Sequence, residues 1–268
     1  MRWHCLCTGL ERHANPPPRL GPPKLCEDPM LFRQLFDQVS STWTYLLADP
    51  ITGEALLIDP VRELLDRDLQ LLVELDLKLV AVLDTHVHAD HVTAAGSLRE
   101  QTGAMTAASA IGAPCVDRQL RDDDEIAFGP YRLVAIETPG HTDDSLSFYF
   151  AGAPGFPAAV FTGDTLLVRG CGRTDFQNGD AGALYDSVHA KLFTLPEDTR
   201  VYPGHDYKGF TMSTIGEERR HNRRLVDRER DAFIALMAGL NLPRPRLIDE
   251  AVLANRACGR AEPVPQSA

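Results

Sequence analysis

The feature that most constrains this chain is the segment Thr85-His86-Val87-His88-Ala89-Asp90-His91, which directly follows the short apolar run Leu79 to Leu83. That run reads as a fully buried strand. A loop at the end of a rigid strand can aim several side chains at one point. Three imidazoles and a carboxylate this close together are hard to justify as packing. Crowded histidines repel one another when protonated, and when buried they leave ring nitrogens without partners. A divalent cation removes both problems. The plainer reading is a solvated polar loop.

Three later segments favour the cation. Thr138-Pro139-Gly140-His141-Thr142 follows a predicted strand at Arg132 to Ile136, Phe161-Thr162-Gly163-Asp164 ends another, and Tyr202-Pro203-Gly204-His205-Asp206 ends a third. Each brings one candidate ligand from a strand end, beside a glycine that allows a tight turn. Any one of them alone is more often a turn; together, in this order, they point to a metal site. The candidate ligands are therefore His86, His88, Asp90, His91, His141, Asp164 and His205, with Asp84 and Asp206 as carboxylates able to orient them or to cap backbone N–H groups. His189 falls in mid-helix and is read as structural, and His4, His13 and His221 lack comparable context.

Around these segments the pattern alternates between strand and helix. Val39 to Leu47, Ala55 to Ile58, Glu125 to Phe128, Ser145 to Phe150, Ala159 to Thr162 and Val201-Tyr202 read as further strands. Helical spacing marks Leu65 to Leu72, Val92 to Gln101, Gly182 to Phe193, Glu217 to Asn222, Glu229 to Ala238 and Arg246 to Cys258. Strand-rich segments separated by helices predict a mixed α/β sandwich. Residues 1–29 differ from the rest: they hold Pro16-Pro17-Pro18, Pro22-Pro23, Cys5, Cys7 and Cys26, and read as a flexible extension. Residues 30–268 then form one catalytic domain with a helical C-terminal segment.

Composition narrows the partners. A formal net charge of −11 argues against a nucleic acid, whose backbone wants a basic surface. No apolar run approaches the roughly 18 residues of a membrane span. The six cysteines are scattered without zinc-ribbon spacing, which predicts a reducing compartment and no disulfide frame. The first 29 residues contain no apolar signal core, and Glu11, Glu27 and Asp28 make them a poor mitochondrial presequence. The expected compartment is the cytoplasm, or the mitochondrial matrix if the source is eukaryotic.

The ordered ligand set resembles the metallo-β-lactamase superfamily, over about residues 31–225. The resemblance implies an αββα sandwich of two mixed sheets flanked by helices, with metal at one edge. Thr162-Gly163-Asp164, Arg169-Gly170-Cys171-Gly172-Arg173-Thr174-Asp175-Phe176-Gln177 and Tyr202-Pro203-Gly204-His205-Asp206-Tyr207 resemble the persulfide dioxygenases, also called sulfur dioxygenases. That family implies one Fe(II) per chain on His86, His141 and Asp164, with His88, Asp90, His91 and His205 around it. It implies oxidation of glutathione persulfide by O2 and water to sulfite and glutathione, and often a homodimer. It places Arg173, Tyr207 and Arg224 on the substrate, with Thr142 beside them. For each arginine a loop-fixing ion pair, for instance Arg173 with Asp175, is the competing role, and Cys171 is read as a small buried residue. Here Asn222-Arg223-Arg224 stands where much of that family has a proline between Asn and Arg.

The alternative within the superfamily is a glyoxalase II-type thioester hydrolase. Its two metals would sit on His86, His88 and His141 and on Asp90, His91 and His205, bridged by Asp164. Val87 interrupts the run of consecutive histidines usual in that group. A β-lactam or lactone hydrolase, and a binding protein that has lost its chemistry, fit the same scaffold less well.

Overall fold

Strands here bury both faces, so each sheet needs cover on two sides. The computed structural model describes residues 30–260, and the predicted extension at residues 1–29 lies outside them. β1 (Leu31–Asp37), β2 (Thr42–Ala48), β3 (Glu54–Ile58), β4 (Lys78–Leu83), β5 (Met105–Ser109) and β6 (Arg118–Leu120) form one sheet in that spatial order. β7 (Glu125–Phe128), β8 (Tyr131–Glu137), β9 (Leu146–Phe150), β10 (Ala159–Gly163), β11 (Arg200–Pro203) and β12 (Ser213–Thr214) form the second, ordered β12-β11-β10-β9-β8-β7. Both sheets are mixed: β3, β4, β5 and β6 run parallel, as do β10 and β11, while the remaining pairs are antiparallel.

Alternate residues of a strand face opposite sides, and that period sorts the core. Tyr45, Leu47, Leu56, Ile58, Ala81 and Leu83 of the first sheet meet Ile126, Phe128, Leu133, Phe148, Phe150 and Phe161 of the second. The intervening residues Leu46, Ala48, Leu57 and Val82 face outward beneath α1 (Leu65–Glu74) and α2 (Ala95–Thr102), where they pack on Leu72 and Leu98. Val160 and Val201 lie beneath α3 (Ala181–Ala190) and α5 (Arg230–Ala238), packed on Leu184, Val188 and Phe233. The result is the predicted αββα sandwich. α4 (Ile215–His221) leads from β12 towards α5, and α6 (Ile248–Arg256) closes the described chain.

At one edge the sheets are stitched together. Trp43 N donates to Gly204 O at 2.8 Å, and Leu146 N donates to Thr85 O at 2.7 Å. The loops after β4, β8, β10 and β11 converge there.

Several boundaries moved. The strand expected from Val39 starts at Thr42, because Asp37 accepts from Val39 N, Ser40 N and Ser40 Oγ and closes a turn. β1 was absent from the sequence reading: its apolar pairs Leu31-Phe32 and Leu35-Phe36 lack a two-residue period, and pairing with β2 makes it a strand. β5 is too alanine-rich, and β6 too short, to declare itself locally. The expectation of unpaired cysteines fails for two of them. Cys115 and Cys258, 143 residues apart in sequence, form a disulfide. Local spacing cannot register a pair that meets only after folding. Cys171 is free and buried; Cys5, Cys7 and Cys26 lie outside the described residues. Among those residues no helix is long and apolar enough to cross a membrane.

One buried carboxyl makes the fold sensitive to pH. Asp68 on α1 is covered, Arg67 reaches only its Oδ1, and its Oδ2 has no hydrogen-bond partner. Burial, only partly offset by Arg67, pushes its pKa from 3.8 to about 6. A raised carboxyl favours the folded state below its unfolded pKa, and that advantage is lost as pH rises through the folded value. The difference corresponds to about 3 kcal/mol. Asp68→Asn should therefore gain stability relative to the parent as pH rises from 4 to 7, as read by denaturant unfolding at each pH. A parent-minus-variant difference independent of pH would refute this.

Candidate metal centre

His86 follows the end of β4, and its orientation is set from beneath. Asp59, buried with a positive φ of 51° just after β3, accepts from Thr85 N at 2.7 Å and from Thr85 Oγ1 at 2.9 Å. The threonine hydroxyl, having given its proton to Asp59, accepts from His86 Nδ1 at 3.0 Å. Nε2 of His86 is thereby left unprotonated. His141 is fixed by the same logic. Its Nδ1 donates to the Arg173 carbonyl at 2.7 Å, so the neutral ring that a metal would bind has its lone pair at Nε2, and that atom lies 3.6 Å from Asp164 Oδ2. Asp164 gives its other oxygen, Oδ1, to His205 Nδ1 at 2.6 Å. One ligand atom each from His86, His141 and Asp164 falls within 4.8 Å of the others. Two neutral imidazoles and one carboxylate form a donor set suited to a divalent transition metal, with further positions left open.

The loops that present these groups need glycine at two places. Gly163 has a φ of 48°, and a Cβ there would meet Thr85 Oγ1 at 2.6 Å. A Cβ on Gly172 would stand 2.7 Å from His141 Nδ1.

His205 behaves differently. Both its nitrogens rest on carboxylates, Nδ1 on Asp164 and Nε2 on Asp90 Oδ2 at 2.9 Å. Burial opposes its charge, but Asp164 and Asp90 raise its pKa well above the ordinary value. In turn burial would raise Asp90, and His205 with His91 holds it well below the usual carboxylate range. Burial would likewise raise Asp164, and His205 pulls it down. A second group, His88, Asp90 and His91, also brings its ligand atoms within 4.8 Å of one another. His91 Nδ1 meets Asp90 at 2.9 Å and His88 Nε2 meets Asp59 at 3.1 Å. Burial would lower the His88 pKa, but Asp59 raises it to about 9. His88 Nδ1 and His91 Nε2 are buried with no hydrogen-bond partner, an arrangement that suits a bound cation or its water.

A cavity of about 700 Å³ opens over His141, Asp164 and His205, with Tyr207, Arg173 and Arg224 on its walls. Tyr207 is 68% exposed and stacks on His205, centroids 5.8 Å apart. Arg224 Nη1 donates to Cys171 O at 2.7 Å, beside the Cys171 thiol, whose pKa burial raises. Arg173 is heavily engaged: it grips Asp175 at 2.6 and 2.8 Å and donates to Pro243 O at 2.6 Å. Arg169 pairs with buried Glu218. Thr142 does not line the cavity; it is buried and its hydroxyl lies 2.7 Å from Ser145 Oγ. Asp84 accepts from Thr93 Oγ1 at 2.8 Å and lies beside His88, whose charge it favours without a hydrogen bond; Asp206 caps Lys208 N at 2.9 Å. His189 on α3 stacks on Tyr185 and meets Phe193 edge-on, as a structural residue would.

The sequence reading missed Asp59, although Asp59-Pro60 after a buried strand is the same kind of signal as the other strand-end carboxylates. It also missed Lys208 and Arg246, which line the cavity from separate segments.

Residues 37–205 match the family model of the metallo-β-lactamase superfamily. The human mitochondrial persulfide dioxygenase ETHE1 is 48% identical over 236 residues, 88% of this chain and 91% of that protein. The crystal structure of ETHE1 from Myxococcus xanthus superposes with a TM-score of 0.83 at 58% identity, covering 86% of this chain and 100% of that one. A hydroxyacylglutathione hydrolase of Cereibacter sphaeroides is 34% identical over 177 residues, 63% of this chain and 64% of that protein. The chain belongs to the metallo-β-lactamase superfamily and, within it, to the persulfide dioxygenase family.

The spent nitrogens of His205 lead to a test of the ligand set. His141→Ala and Asp164→Ala should lose metal on desalting, whereas His205→Ala should keep most of it, as read by elemental analysis of folded protein. Equal loss from all three variants would contradict this assignment.

Proposed function

We propose that this protein is a persulfide dioxygenase that oxidises glutathione persulfide with O2 and water to sulfite, glutathione and protons. The metal is one Fe(II) per chain on His86, His141 and Asp164, and it supplies open positions at which a sulfur donor and dioxygen can meet. The observation that carries this reading is the contrast within the site. His86 and His141 each spend Nδ1 on a protein partner, which leaves Nε2 to a metal, while His205 has both nitrogens committed to Asp90 and Asp164.

The remaining residues hold protons and substrate. The His205 imidazolium balances two buried carboxylates. Asp59 keeps His88 oriented, and Asp90 does the same for His91. Glutathione carries two carboxylates, and the cavity wall offers Arg224, Lys208 and Arg246 to meet them. Arg173 shapes the wall by tying its loop to Pro243. A homodimer, and a location in the cytoplasm or, in a eukaryote, in the mitochondrial matrix, complete the proposal.

A second reading has one observation in its favour. His88 Nδ1 and His91 Nε2 have no hydrogen-bond partner beside Asp90, and a second metal there, which would have to displace the His88 proton, would suit thioester hydrolysis. The activities separate cleanly. Iron-loaded protein should consume O2 when given glutathione persulfide and contain about one iron per chain. Thioester cleavage without oxygen uptake, by protein holding two zinc ions, would reverse the choice.

Arg224 allows a substrate-level test. Loss of a charge-assisted hydrogen bond costs about 1.5–3 kcal/mol, so Arg224→Ala should raise KM for glutathione persulfide roughly ten- to hundredfold with a smaller change in kcat. An unchanged KM in steady-state oxygen uptake would remove it from the pocket.

A further inference from the structure

The loop that carries His88, Asp90 and His91 is neither helix nor strand, so its backbone groups need partners from elsewhere. A single side chain supplies three of them. Asn255, on α6 and 3% exposed, donates from Nδ2 to His88 O and to His91 O, both at 2.9 Å. Its Oδ1 accepts from Thr93 N at 2.8 Å. A carboxamide offers two donors and an acceptor in one plane, which is what this turn of backbone requires. Aspartate would place oxygen against two carbonyls, and alanine would leave all three groups unpaired.

The helix that brings Asn255 to the loop is held by small apolar clusters, with Val252 against Val87 and Ala113 on one side. Ala251 and Ala254 pack with Val92, and Leu247 lies against them. A covalent tie adds to this packing. Three residues past Asn255, Cys258 is bonded to Cys115, in the segment between β5 and β6. The Cys258 carbonyl also accepts from Gly96 N at 2.9 Å, so the helix end is seated on α2.

We propose that Asn255 is a positioning residue for the metal loop, and that the Cys115–Cys258 cross-link fixes the helix that carries it. The inference rests on the metal-centre reading and is independent of which substrate is oxidised. Asn255 sets the backbone from His88 to Thr93 and hence where the imidazoles of His88 and His91 sit beside the ligands.

The test reads metal release, not turnover. Full-length protein is loaded with Fe(II) without oxygen and mixed with an excess of a coloured Fe(II) chelator, and the melting temperature of each metal-free variant is recorded in parallel. Asn255→Asp and Asn255→Ala should release iron roughly ten- to hundredfold faster than the parent, the range typical when a group behind a metal site is removed. The double variant Cys115→Ser/Cys258→Ser should move in the same direction. Leu253→Gly, at an exposed position of α6, weakens the helix from its solvent side and should lower the melting temperature and leave release unchanged. Parent-like release from a folded Asn255 variant overturns the proposal, as does equally fast release from Leu253→Gly. Should both Asn255 variants fail to fold, the double-serine variant decides, because it keeps Asn255 but frees its helix; parent-like release there also overturns the proposal. A parent protein that holds no iron at all would sink the metal centre itself, a result distinct from these.

Discussion

Buried carboxylates decide which histidine nitrogens in this protein are available for chemistry. Asp59 takes Nε2 of His88 directly and, through Thr85, turns Nε2 of His86 free. Asp90 takes Nδ1 of His91. Asp90 and Asp164 between them take both nitrogens of His205. A charge buried without a partner is costly, and so is a polar atom buried alone. Satisfying the acids and satisfying the imidazoles is therefore one problem. Its solution leaves atoms for a metal at His86, His141 and one oxygen of Asp164, and a second, smaller set at His88 Nδ1 and His91 Nε2.

That arrangement holds because the ends of the strands hold. Aromatic and aliphatic residues of both sheets interlock between them, and helices cover the outer faces. The sandwich therefore cannot shear without losing buried area on several layers. Backbone hydrogen bonds from Trp43 to Gly204 and from Leu146 to Thr85 join the sheets at the metal edge. The cavity above is built from less regular parts, the glycine-broken loop after Asp164 and the segment before α6. Arg173 ties these two together through Asp175 and the carbonyl of Pro243.

Much of this was legible beforehand, for a definite reason. Metal ligands at strand ends leave a local mark: an apolar run, then His or Asp beside Gly. Asp59 was overlooked because its motif ends in Pro60 and carries no histidine. Arg173, read as a substrate residue or a loop-fixing ion pair, is seen gripping Asp175, and its backbone carbonyl orients His141. Thr142, expected near substrate, spends its hydroxyl on Ser145. Neither preference could be told from residue type, since a guanidinium or a hydroxyl serves a loop and a ligand equally well.

The sequence by itself determined the layered α/β class, the strand ends that carry chemistry, and the seven side chains able to bind metal. These depend on periodicity and on short motifs, which act within a few residues. Tertiary structure alone decided that β1, β5 and β6 are strands, that Cys115 meets Cys258, that Asn255 reaches back to the metal loop, and which nitrogen of each histidine is free. All of these are pairings between groups far apart in the chain. Their energies come from burial and hydrogen bonding that exist only once the sheets have closed on each other.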